Sequence, residues 1–96
     1  MNKYESMLIL DGVISKEDAQ AENQKVIDLI TQLGGEVLET LDWGKRQLAY
    51  EIEKKNQGYF YVNTFMLPTD KMLDIERNYK LNEQLIRFNM IVLEKN

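Results

Sequence analysis

Six segments alternate along this chain in the order strand, helix, strand, strand, helix, strand, and that order predicts an α+β fold. Three observations carry the prediction. An apolar run, Met7-Leu8-Ile9-Leu10, is cut off by Asp11-Gly12. An amphipathic stretch opens at Ser15 and closes at Gly34-Gly35. A ribbon rich in aromatic and β-branched residues, Tyr59 to Leu67, is stopped by Pro68, and a second helical stripe follows it. Two split βαβ units with right-handed crossovers then give the βαββαβ, ferredoxin-like arrangement. Its sheet has four antiparallel strands, with the first and third in the middle and both helices on one face.

The elements are justified in turn. Lys3 to Leu10 reads as a strand, with Tyr4, Ser6, Leu8 and Leu10 on one face and Glu5, Met7 and Ile9 on the other. Ser15 is placed to cap a helix, and Asp18 sits three residues on, in the capping-box position. Ala19, Val26, Ile30 and Leu33 form the helix's apolar stripe, broken for one turn at Glu22-Asn23. Gly34-Gly35 offers a left-handed cap. Glu36 to Ile52 reads as one long strand bent at Trp43-Gly44 or as two strands with a kink there, with Leu48, Tyr50 and Ile52 sharing a side. Glu53 to Gly58 reads as a polar turn that makes a hairpin with Tyr59–Leu67. Thr69 is expected to cap the second helix, whose stripe is Met72, Ile75 and Tyr79. In the last strand, Leu85 to Leu93, Phe88, Met90 and Val92 face one way and Arg87, Asn89, Ile91 and Leu93 the other.

Ninety-six residues predict a single domain, 1–96. The chain has no cysteine and no histidine, which removes thiolate chemistry, the commonest general base and the commonest metal ligand. No carboxylate pair or glycine-rich phosphate loop has catalytic spacing, so neither an enzyme nor a cofactor is expected. A phosphate-cleaving enzyme on this topology would need an arginine-bearing cradle after the first strand, and Asp11-Gly12-Val13-Ile14 has none. A small-molecule sensor would need a convergent polar cluster, which does not appear. No window approaches the ~20 apolar residues of a membrane helix. A cytoplasmic protein is expected.

With both helices on one side, the other sheet face is left uncovered, and function is expected there. The alternation places Glu5, Met7, Ile9, Tyr59, Tyr61, Asn63, Arg87, Asn89, Ile91 and Leu93 on it. Aliphatics suit burial against a protein, and aromatics with arginine suit nucleic acid. Lys45-Arg46 on the bent strand reads either as protection of a sheet edge or as a phosphate contact. Trp43 reads as a packing anchor or as a stacking surface. Taken alone, the formal net charge of −4 argues against a nucleic-acid binder, although charges sorted onto different faces make net charge a weak guide.

The stretch Trp43-Gly44-Lys45-Arg46-Gln47-Leu48-Ala49-Tyr50-Glu51-Ile52 resembles the signature of the bacterial ribosomal small-subunit protein six family. Tyr4-Glu5, Gln57-Gly58-Tyr59-Phe60 and the Asn82–Arg87 stretch are similar to that family too, so the resemblance covers essentially the whole chain. Two positions depart from it. Glu51 stands where the family usually has proline, and Glu53 where a basic or small residue is usual. The long C-terminal tail of some members is not expected here.

The resemblance implies the same fold and a structural, non-enzymatic role on the ribosome. It implies binding to the central domain of the small-subunit ribosomal RNA, as a heterodimer with ribosomal small-subunit protein eighteen. A basic partner would supply phosphate neutralisation that this acidic chain lacks. On that reading Lys3, Tyr4, Lys45, Arg46 and Arg87 are the expected RNA contacts. Met7, Ile9, Trp43, Tyr59, Tyr61, Ile91 and Leu93 are the expected protein contacts.

Overall fold

A computed structural model of the chain describes residues 1–95. The elements are β1 (Asn2–Asp11), α1 (Lys16–Gln32), β2 (Glu36–Ile52), β3 (Lys55–Leu67), a short 3-10 turn (Thr69–Lys71), α2 (Met72–Leu81) and β4 (Leu85–Glu94). The sheet order is β2-β3-β1-β4 and every neighbouring pair is antiparallel. The ferredoxin-like βαββαβ arrangement is therefore present, with β1 and β3 central.

Local chemistry explains the ends of α1. The Asp18 N–H donates to the Ser15 hydroxyl at 3.0 Å, satisfying one of the helix's free N-terminal donors. At the other end Gly34 takes φ +89°. That turn lets the Gly35 N–H reach the Ile30 carbonyl and the Gly34 N–H reach the Thr31 carbonyl, the paired bonds of a Schellman motif. Gly35 also lies under β3: a Cβ there would stand 2.4 Å from the Met66 carbonyl oxygen. Backbone cannot yield as a side chain can, so Gly35→Ala is expected to cost about 1–3 kcal/mol or more. Urea unfolding measures it, and an unchanged midpoint would refute the close approach. Thr69 does not cap α2; the chain passes from Pro68 through the 3-10 turn into a helix with no side-chain cap.

The core lies between the helices and one sheet face. Ala19, Val26 and Ile30 of α1 and Ile75 and Tyr79 of α2 meet Tyr4, Leu8, Leu10, Phe65 and Leu67. Each fully buried Leu or Ile contributes on the order of 1.5–3 kcal/mol. The break in the α1 stripe is filled rather than exposed. Asn23 is buried and pairs with Asn63 of β3, whose Nδ2 donates to the Asn23 Oδ1 at 2.8 Å, while the Thr40 hydroxyl donates to the Asn63 Oδ1 at 2.8 Å.

That pairing reveals a correction. The alternation placed Tyr59, Tyr61 and Asn63 on the uncovered face. The β1–β3 register sets Tyr59 opposite Leu10, Tyr61 opposite Leu8 and Asn63 opposite Ser6. All three therefore face the helices and are buried. Both faces of β3 are apolar, so alternation alone does not choose between them, and a one-residue slip exchanges them. The buried Asn63–Asn23 pair makes the choice, because an asparagine turned outward would leave Asn23 unpaired inside. Phe60, Val62, Thr64 and Met66 take the uncovered face instead.

The bend at Trp43-Gly44 is a β-bulge. Pairing with β3 shifts between Asp42 and Gly44, Gly44 adopts φ +75°, and its N–H donates to the Asp42 carboxylate at 2.8 Å. The turn is tighter than the six polar residues suggest. Ile52 already pairs with Lys55, and the two linking residues, Glu53 and Lys54, both hold positive φ (51° and 66°).

Candidate nucleic-acid and protein interface

The uncovered sheet face is built from Glu5, Met7 and Ile9 of β1, Phe60, Val62, Thr64 and Met66 of β3, and Arg87, Asn89 and Ile91 of β4, as their cross-strand registers require. It is not uniformly open. β2 leaves its pairing with β3 between Gln47 and Ile52. There its outer segment bends over the face, and the Arg87 guanidinium donates to the Tyr50 hydroxyl at 2.5 Å. Leu48, Tyr50 and Ile52 thus roof a cleft of about 330 Å³ floored by Ile9 and Phe60. Ile9 consequently retains only 9% exposure. A second cleft of about 420 Å³ lies beside it, lined by Met7, Ile9, Arg87, Phe88 and Asn89.

Trp43 stands at the bulge, 44% exposed, and stacks on Phe60 with ring centroids 6.5 Å apart. The Arg46 guanidinium lies 6.0 Å from the Trp43 ring centroid, and its Nε donates to the Trp43 carbonyl at 3.0 Å. A half-exposed indole clasped by an arginine is a surface on which a base or a partner side chain can stack. One indole face rests on Phe60, so Trp43 anchors the bulge by packing.

Lys45 and Arg46 do not act as a pair. Neighbours on a strand point to opposite faces. Arg46 joins the Trp43–Phe60 cluster, while the Lys45 ammonium lies 5.9 Å from the Tyr59 ring centroid, on the helix side. Lys3 sits opposite Glu94 and Met66, at the far end of β1 from the Ile9–Arg87 pair. Six residues of strand separate those ends by roughly 20 Å. The five expected RNA contacts thus divide between two ends of the sheet. One drops out: Tyr4 is 3% exposed, packs against Phe65 with centroids 5.7 Å apart, and its hydroxyl accepts from Asn2.

Among the expected protein contacts, Met7 and Ile91 lie on the uncovered face. Leu93 is exposed at the irregular Lys3–Glu94 end of the β1–β4 pairing. Tyr59 and Tyr61 are interior, as described above. The alternation missed Phe60 and Met66, along with Leu38 and Leu41 on the exposed flank of β2. Their signal was present in Asn23, a polar residue on a helix's apolar stripe, which demands a buried polar partner and so sets the register of β3.

Acid–base chemistry does not gather on this surface. Burial opposes ionisation of Asp11, but the Lys55 hydrogen bond, the Val13 N–H and the Lys55 charge outweigh it and hold the carboxyl below its usual range. Burial raises the Tyr61 phenol to about 12, with Asp42 across the strand pair adding to the effect. That hydroxyl has no hydrogen-bond partner of good geometry among the described residues. Burial likewise raises Tyr79 to about 12 against the opposing pull of its Ser6 hydrogen bond, at 3.1 Å. Among the described residues no group of three or more carboxylates could hold a metal ion, and no helix is long and apolar enough to cross a membrane.

Known proteins are similar to this chain in architecture and in sequence. The chain is 39% identical to the small ribosomal subunit protein bS6 of Dictyoglomus turgidum over 95 residues, covering 99% of this chain and 98% of the relative. It is 38% identical to the bS6 of Helicobacter hepaticus over 94 residues, covering 98% and 69%. The crystal structure of 30S ribosomal protein S6 from Thermotoga maritima superposes with a TM-score of 0.90 at 26% identity, covering 95% of this chain and 86% of that one. The family model described as ribosomal protein S6 matches residues 3–92, from the start of β1 almost to the end of β4. With the family model, a relative of nearly the same length and a superposable structure all in agreement, the chain belongs to the ribosomal protein S6 family.

Proposed function

We propose that this chain, as a single domain, binds the central domain of the small-subunit ribosomal RNA together with ribosomal small-subunit protein eighteen, as a heterodimer. Membership of its family makes it a structural constituent of the small ribosomal subunit in the cytoplasm, with a part in translation and no enzymatic role. The observation that carries the finer reading is the sheet face uncovered by helices and bordered by the Trp43–Arg46–Phe60 cluster. Apolar side chains at Met7 and Ile91, with Leu93 at their margin, suit a protein partner. Lys3, Arg46 and Arg87 suit phosphates at the margins of that contact, and Lys45 can reach phosphate only from the helix side of β2. A net charge of −4 fits a chain that pairs with a basic protein and lets it neutralise much of the RNA.

The test is binding of the purified protein to a central-domain RNA fragment, with and without the basic partner. Cooperative binding is expected, and its absence would sink the proposal. Arg46→Ala with Arg87→Ala is expected to weaken the ternary complex. The dependence of log K on log salt should flatten by roughly one unit per lost phosphate contact.

A further inference from the structure

We infer a second RNA-backbone site on the opposite side of the β2–β3 arm from Arg46: a cleft lined by Lys45, Lys54 and Lys55. The inference rests on the RNA-binding reading above and assigns it an additional surface. The cleft holds about 540 Å³ between the arm and the loop after β1, where Asp11, Gly12 and Val13 form the facing wall.

Its charge departs from that of the whole molecule. The chain is acidic overall, yet three lysines converge here against one lining carboxylate, Asp11. Asp11 is committed to Lys55 at 2.8 Å. Among the described residues no ion pair holds Lys45 or Lys54. Glu53 flanks the cleft and its charge is felt by Lys55, so the site is moderately rather than strongly basic.

The backbone donors nearby are already used. The Gly12 N–H goes to the Gln57 carbonyl at 3.1 Å and the Val13 N–H to the Asp11 carboxylate at 3.0 Å. The free donors are therefore ammonium groups, with the side chains of Asn56 and Gln57 beside them. The Tyr59 ring beneath Lys45 is buried and cannot stack on a base. Mobile point charges without an exposed aromatic face suit phosphodiester oxygens and not base edges, so the contact is independent of sequence.

The turn supplies an independent observation. Two-residue hairpin turns with positive φ at both positions favour Asn-Gly, since a side chain in that region costs roughly 1–2 kcal/mol. Here Glu53 and Lys54 occupy it. A lysine held at φ 66°, where glycine would relax the chain, places its ammonium on the rim of the cleft.

The experiment measures the salt dependence of central-domain RNA binding in the presence of the basic partner, for the full chain and three variants. K45Q/K54Q is expected to flatten the log–log slope by about one to two units, while K25Q, on the exposed side of α1, leaves it unchanged. Lys54→Gly separates turn from contact: its melting temperature should rise while its slope falls by about one unit. A K54G protein that is more stable but binds with the original slope would falsify the site. So would an unaltered slope in K45Q/K54Q, even if subunit assembly weakened, since that would point to an acidic protein segment in the cleft. Failure of the unaltered chain to bind the RNA overturns this inference and the function it rests on together.

Discussion

Replacing Phe65 with alanine is expected to remove about 3–5 kcal/mol of stability. Phe65 is fully buried near the C-terminal end of β3, opposite Tyr4 on β1 and Val37 on β2, and its ring packs on Tyr4. It belongs to the cluster that joins both helices to the sheet, so its removal leaves a cavity that neighbours on three elements cannot close together. Against a typical total of about 5–15 kcal/mol, the loss is a large fraction of what holds the chain folded. Urea unfolding at constant slope measures it. Phe60→Ala provides the comparison. Phe60 lies on the uncovered face, half-buried under Trp43, and its truncation should cost clearly less. Equal losses would refute the division of β3 into a core face and an uncovered face.

A loss of stability between pH 10 and 12 is the second large effect. An unfolded tyrosine ionises near pH 10. In the folded chain burial raises Tyr79 to about 12, opposed by the hydrogen bond with Ser6, and burial with the Asp42 charge raises Tyr61 to about 12. In that window the folded state keeps protons that the unfolded state has lost. Stability is therefore fully present below pH 10 and falls as pH rises through the folded values. Tyr79 alone accounts for about 3 kcal/mol of the decline. Thermal melts at pH 8 and pH 11.5 check it.

The two phenylalanine variants should differ at pH 8. Tyr79→Phe breaks the bond to Ser6 and should cost about 1 kcal/mol, while reducing the alkaline decline. Tyr61→Phe removes a buried hydroxyl with no well-placed partner and should be neutral or stabilising. A flat profile from pH 8 to 11.5 would contradict the burial of both phenols.

The legibility of this chain divides along physical lines. Ser15, Gly34 and the Trp43-Gly44 bend act through their own few residues, and each behaves as its local chemistry predicts. β1 and β4 alternate cleanly, so their faces were readable. β3 was not, because Phe60 and Val62 are as apolar as Tyr59 and Tyr61. Thr69 had the chemistry of a cap, but Pro68 and the 3-10 turn set the entry to α2 instead. Lys45-Arg46 looked like one basic patch because sequence adjacency conceals the pleat. Ile9 looked open because nothing in its surroundings along the chain announces that Leu48, some forty residues later, folds over it. The Tyr50–Arg87 bond that closes this roof joins residues thirty-seven apart.

By itself, then, the sequence determined the order of the elements, the ends of α1, the uncovered faces of β1 and β4 and, through the Trp43–Ile52 signature, the family. Those properties follow from hydrophobic period, turn chemistry and a contiguous motif, all of which act over a few residues. Only the tertiary structure decided which face β3 turns inward. It also decided that Tyr4, Tyr59 and Tyr61 are interior, and that the cations of the arm are divided between its two sides. Strand pairing makes those decisions. It couples residues far apart in the chain, and here it obeys one buried asparagine pair more closely than any local pattern.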